Sequence, residues 1–259
     1  MAHARIARRI VLAMSGCALP AGGAGAAGGP QGSAQGIEVT LDAQGIATQL
    51  GPIAAVEGPS TGKYDVSKTV ASASETVIAA PLISRPSAHV TATNLTSHAA
   101  ASGWGVDARS SAADAAVGSG RMNLFTDPAG PSGLPAVLYL AVSVQEALST
   151  ASFSQVAGGS NYADGSARIG ALNVSGQLLG GASVKFAGPA PANKIIYQSP
   201  SLTITVNRQI RSETITCAAT CQVTPTAIDV AAVDVELHDA MVGGTRISGH
   251  ILVADDTAQ

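Results

Sequence analysis

Three pieces of the chain, ADGSARIGALNVSG (163–176), SLTITVNRQIRSETITCAATC (201–221) and IDVAAVDVELHDAMVGGTRISGHILVAD (228–255), decide the fold. Each sets Val, Ile, Leu and Thr against polar neighbours with a period near two, the spacing of a half-buried β-strand. The breaks between them hold Gly176, Gly180-Gly181, Gly188-Pro189, Pro191, Pro200, Pro225, Gly243-Gly244 or the close pair Cys217 and Cys221. Strands are expected at 167–174, 183–186, 202–210, 212–217, 228–237 and 246–253. Short strands with regular turn punctuation predict an all-β fold, an antiparallel β-sandwich or layered sheets, with two similar β halves as one arrangement.

Upstream, IEVTLDA (37–43) alternates and reads as the first strand, followed by a turn-rich interval with Gly51-Pro52, Gly58-Pro59 and Gly62. Residues 66–120 are mostly Ala, Ser, Thr and Val. Val90 and Ala92, then Trp104, Val106 and Ala108, alternate with polar neighbours, so small-residue strands are expected, with a short helix within 99–116 as the competing reading. The run DPAGPSGLP (127–135) reads as a loop and divides a region 35–126 from a region 136–259. The run AVLYLAV (136–142) continuing to Glu146 is the most apolar strand, and LSTASFSQV (148–156) reads as the next.

Composition narrows the functional classes. The chain has 259 residues, 12% of them charged and 3% aromatic, with a net charge of −3. An average domain carries about 25% charged residues, so cores of small side chains and bland surfaces are expected. The acidic balance argues against nucleic acid as partner. No GxGxxG rhythm, HExxH spacing or G-x-S-x-G elbow occurs, and no cofactor is expected.

Residues 1–34 read as a leader. Arg5, Arg8 and Arg9 precede the apolar run Ile10-Val11-Leu12-Ala13-Met14, followed by Ala- and Gly-rich sequence. That is a signal-peptide layout, too short and Gly-broken for a membrane-spanning helix of about 20 apolar residues. Ala24-Gly25-Ala26 and Gly32-Ser33-Ala34 are the cleavage candidates. Met14-Ser15-Gly16-Cys17 resembles a lipobox, which would make Cys17 a lipidated residue, and Arg8-Arg9 resembles a twin-arginine signal. The tail Val253 to Gln259 has no apolar span, so attachment is expected through Cys17, through non-covalent association, or not at all.

Cys217 and Cys221 remain after the leader. Spaced C-x3-C between Thr-rich strands in an oxidising compartment, they are expected to form a disulfide at a hairpin tip. Asp234 and Glu236 lie two apart on one strand face, and Asp255-Asp256 follow the last expected strand. Paired carboxylates can hold calcium or do acid/base chemistry, making these four weak calcium candidates. The plainer reading is a solvated outer face, with Val233, Val235 and Leu237 opposite it in the core. Trp104 and Tyr162 are candidate platforms for a sugar ring, although Trp is usually buried.

GSARIGALNVSGQ (165–177), NKIIYQSPSLTITVNRQI (193–210) and the closing hairpin resemble the choice-of-anchor P family of bacterial exported proteins. The resemblance rests on Gly165-Ser166, Ile169, Leu172, Val174 and Gly176 in the first element, and on Leu202, Val206, Asn207 and Gln209 in the second. Val233, Val235, Leu237, Gly249, Ile251 and Val253 carry it in the third. Arg208 stands where the family has an acid, and His250 where Asp is usual. The resemblance implies an exported, surface-associated β-rich protein and carries no catalytic residues. The expected role is structural or adhesive in the envelope or outside the cell. A glycan-binding module is the alternative, and a hydrolase using Asp234 and Glu236 a more distant one.

Overall fold

The computed structural model describes residues 31–59, 62–78, 84–102, 108–128, 137–156, 160–217 and 221–259. The Cys17 lipidation, the leader cleavage at Ala24-Gly25-Ala26 and the Trp104 platform fall on residues outside these. Thirteen strands are formed: β1 Gly32–Ala43, β2 Ile46–Ile53, β3 Val56–Glu57, β4 Tyr64–Ile78, β5 Ser84–Ser102, β6 Ala108–Pro128, β7 Val137–Val156, β8 Tyr162–Ser175, β9 Ser183–Pro189, β10 Lys194–Gln198, β11 Leu202–Cys217, β12 Cys221–Val242 and β13 Thr245–Ala258. Among the described residues the only helical element is a single 3-10 turn, Gln177–Leu179.

The strands make two antiparallel sheets. Sheet A has the order β10-β11-β12-β13-β1-β2, with β3 also paired to β1, and sheet B runs β4-β5-β6-β7-β8-β9 in chain order. Sheet A thus draws strands from both ends of the chain, and β1 lies between β13 and β2. The sheets face each other across a main core that mixes Val39, Leu41, Val233, Val235 and Ile251 of sheet A with Leu95, Val117, Leu140, Ile169 and Leu172 of sheet B, and a smaller cluster joins Phe153 and Ala163 to Ile228 and Val230. Ala88, Ala92, Ala113 and Ala115 fill the space between them, so the small-residue strands are the thin part of the core.

Several strands are longer than the sequence pattern shows. Residues 137–156 form one strand where two were expected, and 202–217 likewise form one. β2 lies in the stretch read as turn-rich, and β10 in one where no strand was expected. The Ala-rich residues 99–102 and 108–116 are strand, not helix. β1 begins at Gly32, with Gly32, Ser33 and Ala34 opposite Ala258, Thr257 and Asp256.

Each sheet carries a transverse kink, which in β7 falls at Glu146, beside the break expected between two strands, whereas β11 has its register irregularity between Ser212 and Glu213. In sheet B one row reads Asn94, Gly118, Glu146, Gly170 across β5 to β8, set by flanking pairs such as Thr93 with Ser119 and Leu95 with Val117. Asn94 and Glu146 take φ of 54° and 51°. A Cβ on Gly118 or Gly170 would lie 2.8 Å from the Asn94 or Glu146 Cβ, so glycine alternates with the left-handed residues along the row. In sheet A the matching row is Asn207, Ala232, Ala254, Gly36, with φ of 52° at Asn207 and 48° at Ala254. Pairing continues through each row, but inward and outward positions exchange. In β7, for example, Leu140, Val142 and Val144 are buried before the kink and Ala147, Ser149 and Ala151 after it.

Candidate functional site

The kink in sheet A assembles a charged cluster on that sheet's outer face. Strict alternation from Leu202, Ile204 and Val206 would point Arg208 into the core, and alternation from Ile251 and Val253 would do the same to Asp255. The inversion at Asn207 and Ala254 turns both outward. Arg208 then reaches Asp229 at 2.5 Å, Asp255 at 3.1 Å and Asp234 at 3.5 Å, with only 16% of its side chain exposed. Gln35 Nε2 donates to Asp255 at 3.1 Å from β1. On the far side of Asp234, His250 Nδ1 lies 3.0 Å from its carboxylate. His250 and His238 both approach Glu236, at 3.9 and 3.6 Å, and His238 Nε2 lies 3.0 Å from Thr203 Oγ1.

One guanidinium cannot offset three carboxylates taken out of water. Burial raises the Asp255 carboxyl to about 7, with the neighbouring Asp229 charge adding to the rise and Arg208 opposing it. Asp229 is raised as well, chiefly by burial. His250 is raised by its hydrogen bond to Asp234. A cleft of about 620 Å³, lined by Ser33, Gln35, Pro52, Glu57, Asp255 and Thr257 among others, opens beside this cluster. A carboxyl poised near neutrality at a cleft is a familiar property of acid/base sites. Here each oxygen is already engaged, by Arg208 and by Gln35, and the arrangement is an ion-pair network that ties β11, β12, β13 and β1 together.

The four calcium candidates do not converge. Asp234 is nearly buried, not solvated as expected, because Arg208 and His250 cover it, while Glu236 is partly exposed. Asp255 joins them on the outer face. Asp256 takes the opposite face and is buried between the sheets, because Ala254 has reversed the alternation. Burial holds the Asp256 carboxyl well above the usual range, opposed by the neighbouring Ser149 hydroxyl and Ala115 backbone. Among the described residues no group of three His, Cys, Asp or Glu side chains is placed to hold a metal ion.

Cys217 and Cys221 are bonded at the tip of the β11–β12 hairpin. The outer part of that hairpin projects beyond the sandwich, leaving Ile215 and Val223 exposed opposite each other. Its base is tied to sheet B, where Asn161 Nδ2 donates to the Pro225 carbonyl at 2.9 Å. Tyr162 is 59% exposed at the start of β8.

The outer face of sheet B went unremarked in the sequence because its residues are ordinary Ser, Thr and Asn. Below the kink row its polar groups pair with one another: His98 lies between Asp65 at 2.9 Å and Asp114 at 2.8 Å, and Thr150 Oγ1 lies 2.9 Å from Ser166 Oγ. Above it, Thr93 pairs with Ser119, whereas one row reads Ser74, Thr91, Arg121, Ser143, Asn173, Lys185 across all six strands. No protein-family model, curated protein or solved structure matches this chain.

Proposed function

We propose that this is an exported protein of the bacterial envelope or cell exterior, with a structural or adhesive role carried by the outer face of sheet B. The observation behind this reading is the contrast between the molecule's polar surfaces. The titratable cluster on sheet A is consumed in internal ion pairs, as is His98, while one half of sheet B presents Arg121, Ser143, Gln145, Asn173 and Lys185, which no described residue engages. Export is supported by the cationic and apolar leader and by a disulfide at an exposed hairpin tip. The family resemblance of the strand patterns points the same way.

The position of β1 bears on processing. Cleavage after Ala34 would remove Gly32 to Ala34 from their pairing with β13, which favours a cut upstream of Gly32. Cell fractionation with intact-mass analysis tests export directly. The reading expects an extracytoplasmic protein whose first residue precedes Gly32, or an acylated one beginning at Cys17. A full-length cytoplasmic protein with free thiols contradicts it. Sedimentation of the purified protein with isolated cell envelopes tests adhesion, and failure to co-sediment removes that part of the reading.

Glycan binding is the second reading, favoured by the exposure of Tyr162. It lies at the edge of a groove of about 440 Å³ that also includes Tyr64, Asp65 and Phe153.

A further inference from the structure

A shallow groove of about 420 Å³ crosses β7, β8 and β9 on the outer face of sheet B. Its low points are Ala171 and Ala187, whose methyl groups leave space between longer neighbours. Ser143, Gln145, Asn173 and Lys185 stand around them. The register sets Ser143, Asn173 and Lys185 side by side and continues the same row to Arg121 on β6. Three strand spacings separate Arg121 from Lys185, about 14 Å.

Two properties of this row bear on what it can bind. Arg121, Ser143, Gln145, Asn173 and Lys185 make no hydrogen bond or ion pair with any described residue, in contrast to the locked His98 and Arg208 clusters. The outward positions of the three rows above the kink also contain no acid: they read Ser72-Thr93-Ser119-Gln145-Ala171, Ser74-Thr91-Arg121-Ser143-Asn173-Lys185 and Thr76-His89-Asn123-Ala141-Ser175-Ser183. In register the adjoining row, the kink row itself, carries Glu146. Below the kink the same face carries Asp65, Asp114 and Asp164. There those acids share the face with His98 and Arg168, so what sets the upper half apart is its lack of acids.

We infer that the groove and row from Arg121 to Lys185 bind an anionic polysaccharide. Its carboxylates would meet the two cations, and its ring hydroxyls the Ser143 hydroxyl and the Gln145 and Asn173 amides. An amide both donates and accepts, which matches a sugar hydroxyl, and a guanidinium forks onto a carboxylate. The 14 Å span calls for an oligomer, not a single sugar. Nucleic acid fits less well, because duplex binding draws on many phosphate contacts and this row offers two cations. The inference rests on the adhesive reading and gives it a ligand class.

The test uses the mature protein with polygalacturonate, neutral dextran, duplex DNA and phosphatidylglycerol vesicles, measured by calorimetry or co-sedimentation at low and high salt. Polygalacturonate is expected to bind with an affinity that falls as salt rises, and dextran is not. R121Q and K185Q, both at exposed positions, should each weaken binding about tenfold with unchanged melting temperature. N173A should weaken it less, and E146Q should tighten it. Equal binding to dextran, indifference to R121Q and K185Q, or absence of polygalacturonate binding overturns the inference. Binding to DNA or vesicles with the same variant sensitivity overturns the glycan assignment in favour of that polyanion. Co-sedimentation with envelopes that survives R121Q and K185Q leaves adhesion standing and removes only this groove.

Discussion

Replacing Asp255 with Asn should stabilise the protein at pH 8, although it deletes a residue that pairs with Arg208. Arg208 faces three carboxylates, and Asp255 is nearly buried among them with Asp229 as a like-charged neighbour. Its carboxyl is raised from 3.8 to about 7 with Arg208 in place. The folded state therefore holds this proton more tightly than the unfolded chain does. Stability from this group is greatest below about pH 4, falls as pH rises through the interval from 3.8 to about 7, and stays low above it. A shift of that size corresponds to about 4 kcal/mol once the group is ionised. Asn cannot ionise, keeps an amide oxygen to accept from Gln35 Nε2, and leaves Arg208 with Asp229 and Asp234. The expected gain for D255N is about 2–4 kcal/mol at pH 8, or about 5–12 °C in melting temperature, shrinking toward zero near pH 4. Thermal and urea melts of both proteins at pH 4, 6 and 8 give the difference directly. If D255N melts below wild type at pH 8 and keeps the wild-type pH slope, Asp255 is a net stabilising ion-pair partner and the reasoning fails.

The remaining tests follow from the same geometry. Arg208→Met strands three carboxylates and should cost about 3–5 kcal/mol at pH 8, with a smaller loss at pH 5, where protonation relieves them; equal losses at both pH values would argue against the cluster. Wild type itself should be more stable at pH 5 than at pH 8. Asp229 and Asp256 are raised like Asp255, and the stabilisation from protonated His250 is complete below about 6.5 and lost as pH rises through its higher folded value. Gly118→Ala or Gly170→Ala should destabilise by about 1–3 kcal/mol, since the new methyl meets Asn94 or Glu146 in the kink row, and a neutral result would mean the row can flatten. Thiol labelling without reductant should find no reactive thiol at Cys217 or Cys221; the C217S/C221S variant should lose no more than about 2 kcal/mol, because the arm it closes lies outside the sandwich.

The all-β, two-sheet fold was legible because Val, Ile, Leu and Thr alternate cleanly on both sides of each kink. What alternation cannot show is where it reverses. Asn207 and Ala254 are unremarkable as letters, yet their left-handed backbone decides that Arg208, Asp229 and Asp255 share a face with Asp234, and that Asp256 does not. The glycines of sheet B gave a partial signal. Gly118 and Gly170 sit inside otherwise regular strand patterns, where an interior glycine marks a bulge or a close approach. Read that way, 136–146 and 148–156 join into one bent strand through Glu146. β2 was missed because Gly51-Pro52 reads as a turn, yet as the sheet's last strand it tolerates a proline that a central strand would not. The Arg121–Lys185 row was invisible for a different reason: its members lie on four strands, and only the pairing register aligns them.

The central claim is that the outer face of sheet B is the working surface while the charged cluster of sheet A is structural. Envelope co-sedimentation of three proteins, wild type, the sheet B double variant R121Q/K185Q and the sheet A variant D255N, tests it most directly. Wild type and D255N should co-sediment equally while R121Q/K185Q stays in the supernatant, all three melting as folded proteins. Retention of R121Q/K185Q together with release of D255N would contradict the account and place the working surface on the Asp255 cleft.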